Sequence, residues 1–292
     1  MKFLGLISVL AVGAAGQWFT SSDSLGGYDP EYVSFETEQF DEGQFHIVSL
    51  DRTDEHVKVK YFASKLGDKS VEDRFNEWKQ GKNVILYTSG AYMSELGAST
   101  AGIVGLTIDG GKISNDKFSM NKMNALVMVY PDGSIRIEDI GGDALELVED
   151  DEVLRYNMHN SMHVERFVDW AAGQQLTVFQ THLLIIDDEL RIAENSSDHR
   201  AERRFLAQAT NAEGEEFQFI VHMPDAATLY NGTLSVQEYL YSLGYTDLSL
   251  INLDTGAQDV FRFFDVDGEE SEKLQGRLDV SSTRNLMVYY FE

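Results

Sequence analysis

Short apolar runs with a period of two constrain this chain more than any other feature. His56 to Phe62 reads HVKVKYF, with Val57, Val59 and Tyr61 on one face and lysines between them, the pattern of a half-buried β-strand. Similar runs are Val84 to Tyr87, Ile103 to Ile108, Ala125 to Tyr130, Ile135 to Ile140, Leu176 to Ile186, Phe205 to Thr210, Phe217 to His222, Leu248 to Leu253 and Leu286 to Phe291. Pro131-Asp132-Gly133 separates two of them and predicts a hairpin, because Asp and Gly tolerate the positive φ of a tight turn. Helical periodicity is rarer: Ser70 to Gln80, Val164 to Ala172, and Val236 to Leu243. The last is best marked, with Ser235 and Glu238 spaced as a capping box and Gly244 placed to end the helix. The sum is an α+β fold, a mixed, largely antiparallel sheet core with a few packed helices.

The ends of the chain set the expected organisation. Residues 1–16 read MKFLGLISVLAVGAAG: a lysine, an apolar run, then small residues, which are the parts of a secretory signal peptide. The apolar run is shorter than the ~20 residues of a comfortable membrane span, so a secreted or periplasmic protein without a stable span is expected. Residues 17–42 read as a solvated leader. Only 3 prolines occur and no Pro-rich or Gly/Ser-rich linker follows, which predicts a single domain over residues 43–292.

Composition then removes several functions. There are 23 Lys+Arg against 49 Asp+Glu, a net charge of −26, which repels nucleic-acid phosphates and anionic lipid from any face lacking a local basic patch. The 43% hydrophobic content is too high for a disordered acidic chain. There is no cysteine, hence no disulfide, thiolate nucleophile or Cys-ligated metal. Neither a Gly-x-Ser-x-Gly elbow nor a Walker loop is present, so serine-hydrolase and P-loop chemistry have no foothold.

The remaining candidates are few. Asp254 follows a buried strand and precedes Thr255-Gly256, where the backbone leaves the sheet and small residues allow a ligand to approach. An aspartic protease needs a second Asp-(Thr/Ser)-Gly, and none exists; a turn residue bonding its own backbone is the alternative. His159 and His163 are four apart, but Asn160 stands where a zincin has Glu, so a satisfied pair is expected and no metal site. In FFDVDGEE, with Gly268 as loop position six, Phe263 and Leu274 occupy positions one and twelve, which excludes an EF-hand. A looser calcium site on Asp265 and Asp267 would make this a calcium-dependent surface protein. Arg200, Arg203 and Arg204 form the densest basic cluster, suited to phosphate or carboxylate oxygens or to salt bridges with the many acids. Asn195-Ser196-Ser197 and Asn231-Gly232-Thr233 are formal glycosylation sequons.

The order of segments resembles the phosphodiester glycosidase family, which includes the lysosomal uncovering enzyme and many exported bacterial relatives. NVILYTSGAYM (Asn83 to Met93), AGIVGLTIDGGKI (Ala101 to Ile113) and ALVMVYPDGSIRI (Ala125 to Ile137) are similar to its first half. VFQTHLLIIDDEL (Val178 to Leu190) resembles its Gln-Thr-Gly-Pro strand start, and RRFLAQATNAEGEEFQFIV (Arg203 to Val221) its Arg-Thr-Ala-Ile-Gly strand and hairpin partner. LSVQEYLYSLGYTDLSLINLDTGAQDVF (Leu234 to Phe261) resembles its helix and strand ending Leu-Asp-Gly-Gly. The likeness spans roughly residues 45–264. Thr88 stands where the family has Asn, Thr255 replaces a Gly, His182-Leu183 replaces Gly-Pro, Ala207 replaces the Gly after the arginine, and Ala257 to Asp259 lack the family's Ser.

What the resemblance implies is a secreted hydrolase that cleaves a sugar from a phosphodiester-linked glycan without a cofactor. It would take Asp254, Arg203 and Thr88 as catalytic residues, with Gly90, Tyr92, Gln180, Thr181, His182, Arg200 and Gly256 at the substrate. The departures motivate an alternative, a catalytically inactive glycan-binding or surface-interaction protein on the same fold. In both readings the partner is a carbohydrate or sugar phosphate.

Overall fold

The computed structural model describes residues 27–292 apart from 54–55, 95–101, 120–122, 143, 150–151, 195–198 and 257–258. The expected signal peptide and the sequon at Asn195 lie outside the described residues. In chain order the elements are β1 (Val33–Phe40), β2 (Gly43–Asp51), β3 (Val57–Ala63), α1 (Val71–Trp78), β4 (Asn83–Thr88), β5 (Thr107–Asp109), β6 (Lys112–Asn115), β7 (Ala125–Val129), β8 (Ile135–Asp139), β9 (Leu145–Glu149), β10 (Glu152–Tyr156), α2 (Ser161–Gly173), β11 (Thr177–Ile186), β12 (Glu189–Leu190), β13 (Ala201–Thr210), β14 (Glu216–Ala227), α3 (Leu229–Ser242), β15 (Thr246–Leu253), β16 (Phe261–Phe264), β17 (Glu270–Gln275) and β18 (Asn285–Phe291).

The alternation read in the sequence is the alternation of burial. In β3, Val57, Val59 and Tyr61 are buried while Lys58 and Lys60 are half-buried. β7 and β8 pair antiparallel across the Pro131-Asp132-Gly133 turn, where Gly133 takes a φ of 88°. The larger sheet runs β1-β2-β14-β13-β15-β11-β5-β6, with β12 and the β7–β8 hairpin also attached at β11; the smaller runs β17-β16-β4-β18-β3. Every ladder between these strands is antiparallel, as is the separate β9–β10 hairpin.

The two sheets share one apolar seam. Val48, Leu50, Leu206, Ile220 and Leu253 of the larger sheet meet Val59, Phe261, Phe263, Met287 and Tyr289 of the smaller. Burying each such side chain is worth about 1.5–3 kcal/mol. Two contacts tie the sheets in register: the Tyr61 and Phe179 rings stack at 4.7 Å, and the Tyr289 hydroxyl donates to Gln218 Oε1 at 2.9 Å. Helices cover the outer faces. Val236 and Leu240 of α3 pack on Phe205, Ala207 and Leu250; Phe167 and Val168 of α2 pack on Leu126, Met128 and Val178; Phe75 of α1 packs on Phe62, Tyr87 and Val288.

Three expectations are corrected. Residues 33–40, assigned to a solvated leader, form β1 on the edge of the larger sheet, with Val33 and Phe35 buried. The capping box at Ser235 and Glu238 is not the start of α3, which begins seven residues earlier at a Thr228 cap whose side chain accepts from Asn231 N. A capping box does occur in α1, between Ser70 and Asp73. From Ile103 to Ile108 only the last two residues lie in a strand; Ile103 makes an isolated bridge to Met93. The end of α3 is as expected, with Gly244 at a φ of 88°. The second sequon lies inside α3: Asn231 donates to Glu42, Thr233 is buried and donates to Leu229 O.

Candidate functional site

Both sheets run out at the same end, and the polar residues gather there. β4 ends at Thr88, β15 ends at Leu253, β13 begins near Arg204 and β18 begins at Asn285. The loop after β4 is fixed by one side chain. Buried Asn285 accepts from Gly90 N at 2.8 Å and Ala91 N at 2.9 Å through Oδ1, and returns Nδ2 to Ala91 O at 2.9 Å. Gly90 O in turn accepts from Asp254 N at 3.1 Å. This brings Tyr92 and Met93 over the end of β15.

Asp254 is the centre of the arrangement. Its carboxyl is buried, accepts from the backbone N–H of Met93 and Thr255, and is pushed up to about 7 because burial outweighs those bonds and the nearby Arg204 charge. Beside it, the Tyr92 ring stacks on the His182 ring at 4.8 Å, and Asn252 Nδ2 donates to the Tyr92 hydroxyl. Asn252 Oδ1 is buried with no hydrogen-bond partner among the described residues. Tyr92 is raised well above the ordinary phenol range, first by burial and then by Asp254. Arg203 reaches the same side, where burial lowers its pKa and the neighbouring Tyr92 opposes that, and donates to Ala227 O at 3.2 Å and His199 O at 2.6 Å.

On the other face of β13 lies a second cluster. Arg204 is fully buried over the Phe261 ring, 4.5 Å from its centroid. Its Nη2 meets Asp259 Oδ1 at 2.6 Å and His222 Nδ1 at 3.2 Å, and its Nη1 reaches Thr88 Oγ1 at 3.4 Å. Arg277 bridges Asp259 Oδ2 at 3.3 Å and Glu202 Oε2 at 3.0 Å. Glu202 is pushed up to about 7 by burial and by Asp259, whereas Arg204 holds Asp259 below its ordinary range. Burial, then Arg204, push His222 well down, so it stays neutral and accepts from Arg204.

The structure therefore brings Asp254, Arg203, Tyr92 and His182 together, with Gly256 one turn away at a φ of 70°. Thr88 and Gly90 sit below them as supports; the Thr88 hydroxyl donates to Ser89 O at 3.0 Å. Gln180 is filled by protein: Oε1 accepts from Leu106 N at 2.7 Å and Ser119 N at 2.9 Å, and Nε2 donates to Ser119 O at 2.9 Å and Met123 O at 3.0 Å. Thr181 donates to Asn252 O. Arg200 is away from the cluster, exposed and paired with Glu42 at 3.1 Å. Sequence reasoning named Arg204 in the basic cluster but not as a site residue, and missed Asn252, Asp259, Glu202, Arg277 and Asn285. Strand parity in Arg203-Arg204 could have flagged that the two arginines serve opposite faces; nothing local could have located Arg277 or Asn285.

The other motifs stand elsewhere. His163 Nδ1 accepts from Asn157 N at 3.0 Å ahead of α2, and His159 lines an open groove of mixed polarity with Phe118, Val164, Glu165 and Asp169. Asp265 Oδ1 accepts from Asp267 N at 3.0 Å and Glu269 N at 2.8 Å, which makes that segment a side-chain-closed turn. Among the described residues no cluster of three His, Asp or Glu has a metal-holding arrangement, and no helix is long and apolar enough to cross a membrane.

No family model matches the chain, and no curated protein matches it in sequence. Among solved structures it is similar to the catalytic domain of zebrafish N-acetylglucosamine-1-phosphodiester alpha-N-acetylglucosaminidase, auto-inhibited by pro-peptide, with a TM-score of 0.50 and 13% identity over 89% of this chain and 82% of that one. Also similar are a hypothetical protein from Synechocystis (TM-score 0.45, 11% identity, 90% and 62% covered) and a protein described as exported from Burkholderia pseudomallei (TM-score 0.44, 8% identity, 89% and 74% covered). The likeness to the zebrafish domain is one of fold.

Proposed function

We propose that the chain is a secreted or periplasmic hydrolase that cleaves a sugar from a phosphodiester-linked glycan. The observation that carries this reading is the Asp254 carboxyl, buried and pushed up to about 7 beside arginine, on a fold similar to a phosphodiester glycosidase catalytic domain. A group with that value exists in both protonation states near neutral pH, as a general base must. In the reaction the sugar C1–O bond breaks and its electron pair leaves on the phosphate oxygen. Water gives its hydroxyl to C1 and its proton to Asp254. A phosphate monoester is a good leaving group, so positive charge from arginine takes the place of the second carboxyl that ordinary glycosidases use. Tyr92 and His182 pack against the sugar ring, and Asn252 Oδ1 accepts from one of its hydroxyls.

One observation favours a second reading, binding without turnover. Gln180, Thr88 and Arg204 are all engaged by the protein itself, while the Tyr92–His182 stack still offers an aromatic face of the kind sugars bind. A panel of sugar-1-phosphodiesters separates the two: the hydrolase releases free sugar over many turnovers, whereas the binding protein shows saturable association and releases none.

A further inference from the structure

The buried cluster behind Asp254 holds more than the arginine charge used above, and its contacts are unequal. Asp259 is held on both oxygens, Oδ1 by Arg204 at 2.6 Å and Oδ2 by Arg277 N at 2.7 Å and Arg277 Nε at 3.3 Å. It is an anchor. Glu202 is held more loosely, 3.0 Å from Arg277 Nη2 and 3.6 Å from Arg204 Nη2, and its Oε1 has no hydrogen-bond partner among the described residues. Arg204 Nε likewise has none, although the side chain is fully buried. Burying unmet donors and acceptors is costly, so a guanidinium with a free N–H beside a loosely tied carboxylate marks a place where another acceptor fits. Access is graded: the Arg277 side chain is 64% exposed, Glu202 15% and Arg204 0%.

We propose that Arg204 and Arg277 form an anion site for a phosphate or phosphodiester oxygen, kept closed by Glu202, which lies across both guanidinium groups until the anion displaces it. Two guanidinium forks suit a tetrahedral oxyanion better than a single carboxylate does. Thr88 Oγ1 and Val260 O brace Arg204 from below, and Arg277 Nη2 also donates to Gly256 O at 3.0 Å, which links the latch to the turn that follows Asp254. The other charged or titratable groups facing Glu202 are Asp259 and His222, whose Nδ1 lies 3.9 Å from Glu202 Oε1. The site deepens the proposed hydrolase, and its phosphate identity rests on that reading. It assigns the phosphate to Arg204 and Arg277.

Calorimetric titration of the purified chain with inorganic phosphate at about pH 8.5, above the value of about 7 to which Glu202 is raised and hence with its carboxylate ionised, tests the latch. Glu202→Gln keeps the shape and removes the charge, so Kd should fall by about tenfold, and Arg277→Gln should raise it by about tenfold, the scale at which buried charge pairs act at binding sites. Arg277 is mostly exposed, so its variant is expected to fold, which far-UV circular dichroism verifies. A Glu202→Gln Kd within twofold of the parent, or phosphate binding that ignores Arg277, overturns the latch. Sugar release is a separate readout: altered phosphate binding without any turnover leaves the latch standing and sinks the hydrolase, while turnover with unaltered phosphate binding does the reverse.

Discussion

Asp254 shows how much a single carboxyl depends on its surroundings. Its position at the end of a buried strand was legible from the order strand, Asp, small residue, Gly. Its charge state was not, because that depends on burial, on the Met93 backbone in the loop after β4 and on Arg204 of β13. Raised from 3.8 to about 7 in the folded chain, the group stays protonated where the unfolded chain has already lost the proton. Its contribution to stability is therefore greatest below about pH 4 and is lost as pH rises to about 7. Replacing it with Asn removes that loss. Asp254→Asn should be more stable than the parent at pH 8, by roughly 2–4 kcal/mol, with the gap narrowing toward pH 4. Urea melts at the two pH values test this; a gap that does not change with pH would show that burial does not shift Asp254. The same dependence on long-range contacts explains why Arg203 was preferred to Arg204. The motif match fixed the first arginine, but β13 breaks register between Ala201 and Arg203, and only the paired strands decide which guanidinium enters the interior.

Elements were easier to read than their junctions. Runs such as Ala125 to Tyr130 and Leu176 to Ile186 became β7 and β11 within a residue or two, because each is a near-continuous apolar run buried on both faces. α3 was read short because Ser235 and Glu238 have the spacing of a capping box, which set its start at Val236. In the fold, Gly232 lets the helix approach the sheet: a methyl there would stand 3.1 Å from both Met223 Sδ and Phe205 Cζ. β16 and β17 were missed because Phe263 to Glu270 was weighed only as a calcium loop, whereas Phe261–Phe264 and Glu270–Gln275 are the two strands of a hairpin around it. The junction that matters most for function is the Asn285 clamp on the loop after β4. Asn285→Ala would leave Gly90 N and Ala91 N buried without their acceptor, at a cost of about 1–3 kcal/mol for each unmet group. We expect an unfolding free energy lowered by a total of about 2–6 kcal/mol, read as a lower denaturant midpoint, with loss of the Tyr92–His182 geometry and hence of sugar binding. A midpoint unchanged within error would mean that the loop is fixed by its other bonds.

At the scale of the whole molecule, the pairing of two antiparallel sheets across one seam was not legible, since strands as far apart in sequence as β3 and β18 are neighbours and no local pattern encodes that distance. The net charge of −26 was legible, and it acts on the fold as self-repulsion that salt screens. The melting temperature should rise by a few degrees between about 0.02 and about 0.5 M sodium chloride; a fall would show that surface ion pairs such as Lys69–Glu77 outweigh the repulsion. The same charge makes a closed arginine site useful, because two guanidinium groups held by their own carboxylates give an acidic molecule one point that can receive an anion. The account stands or falls on catalysis at Asp254. The direct measurement is kcat/KM for free-sugar release from sugar-1-phosphodiesters, for the parent chain and for Asp254→Asn, both verified as folded. The account expects turnover by the parent and a loss of about 100-fold or more in the variant, the scale of a missing general base. Equal rates in the two chains, or no release by the folded parent from any diester in the panel, would contradict it.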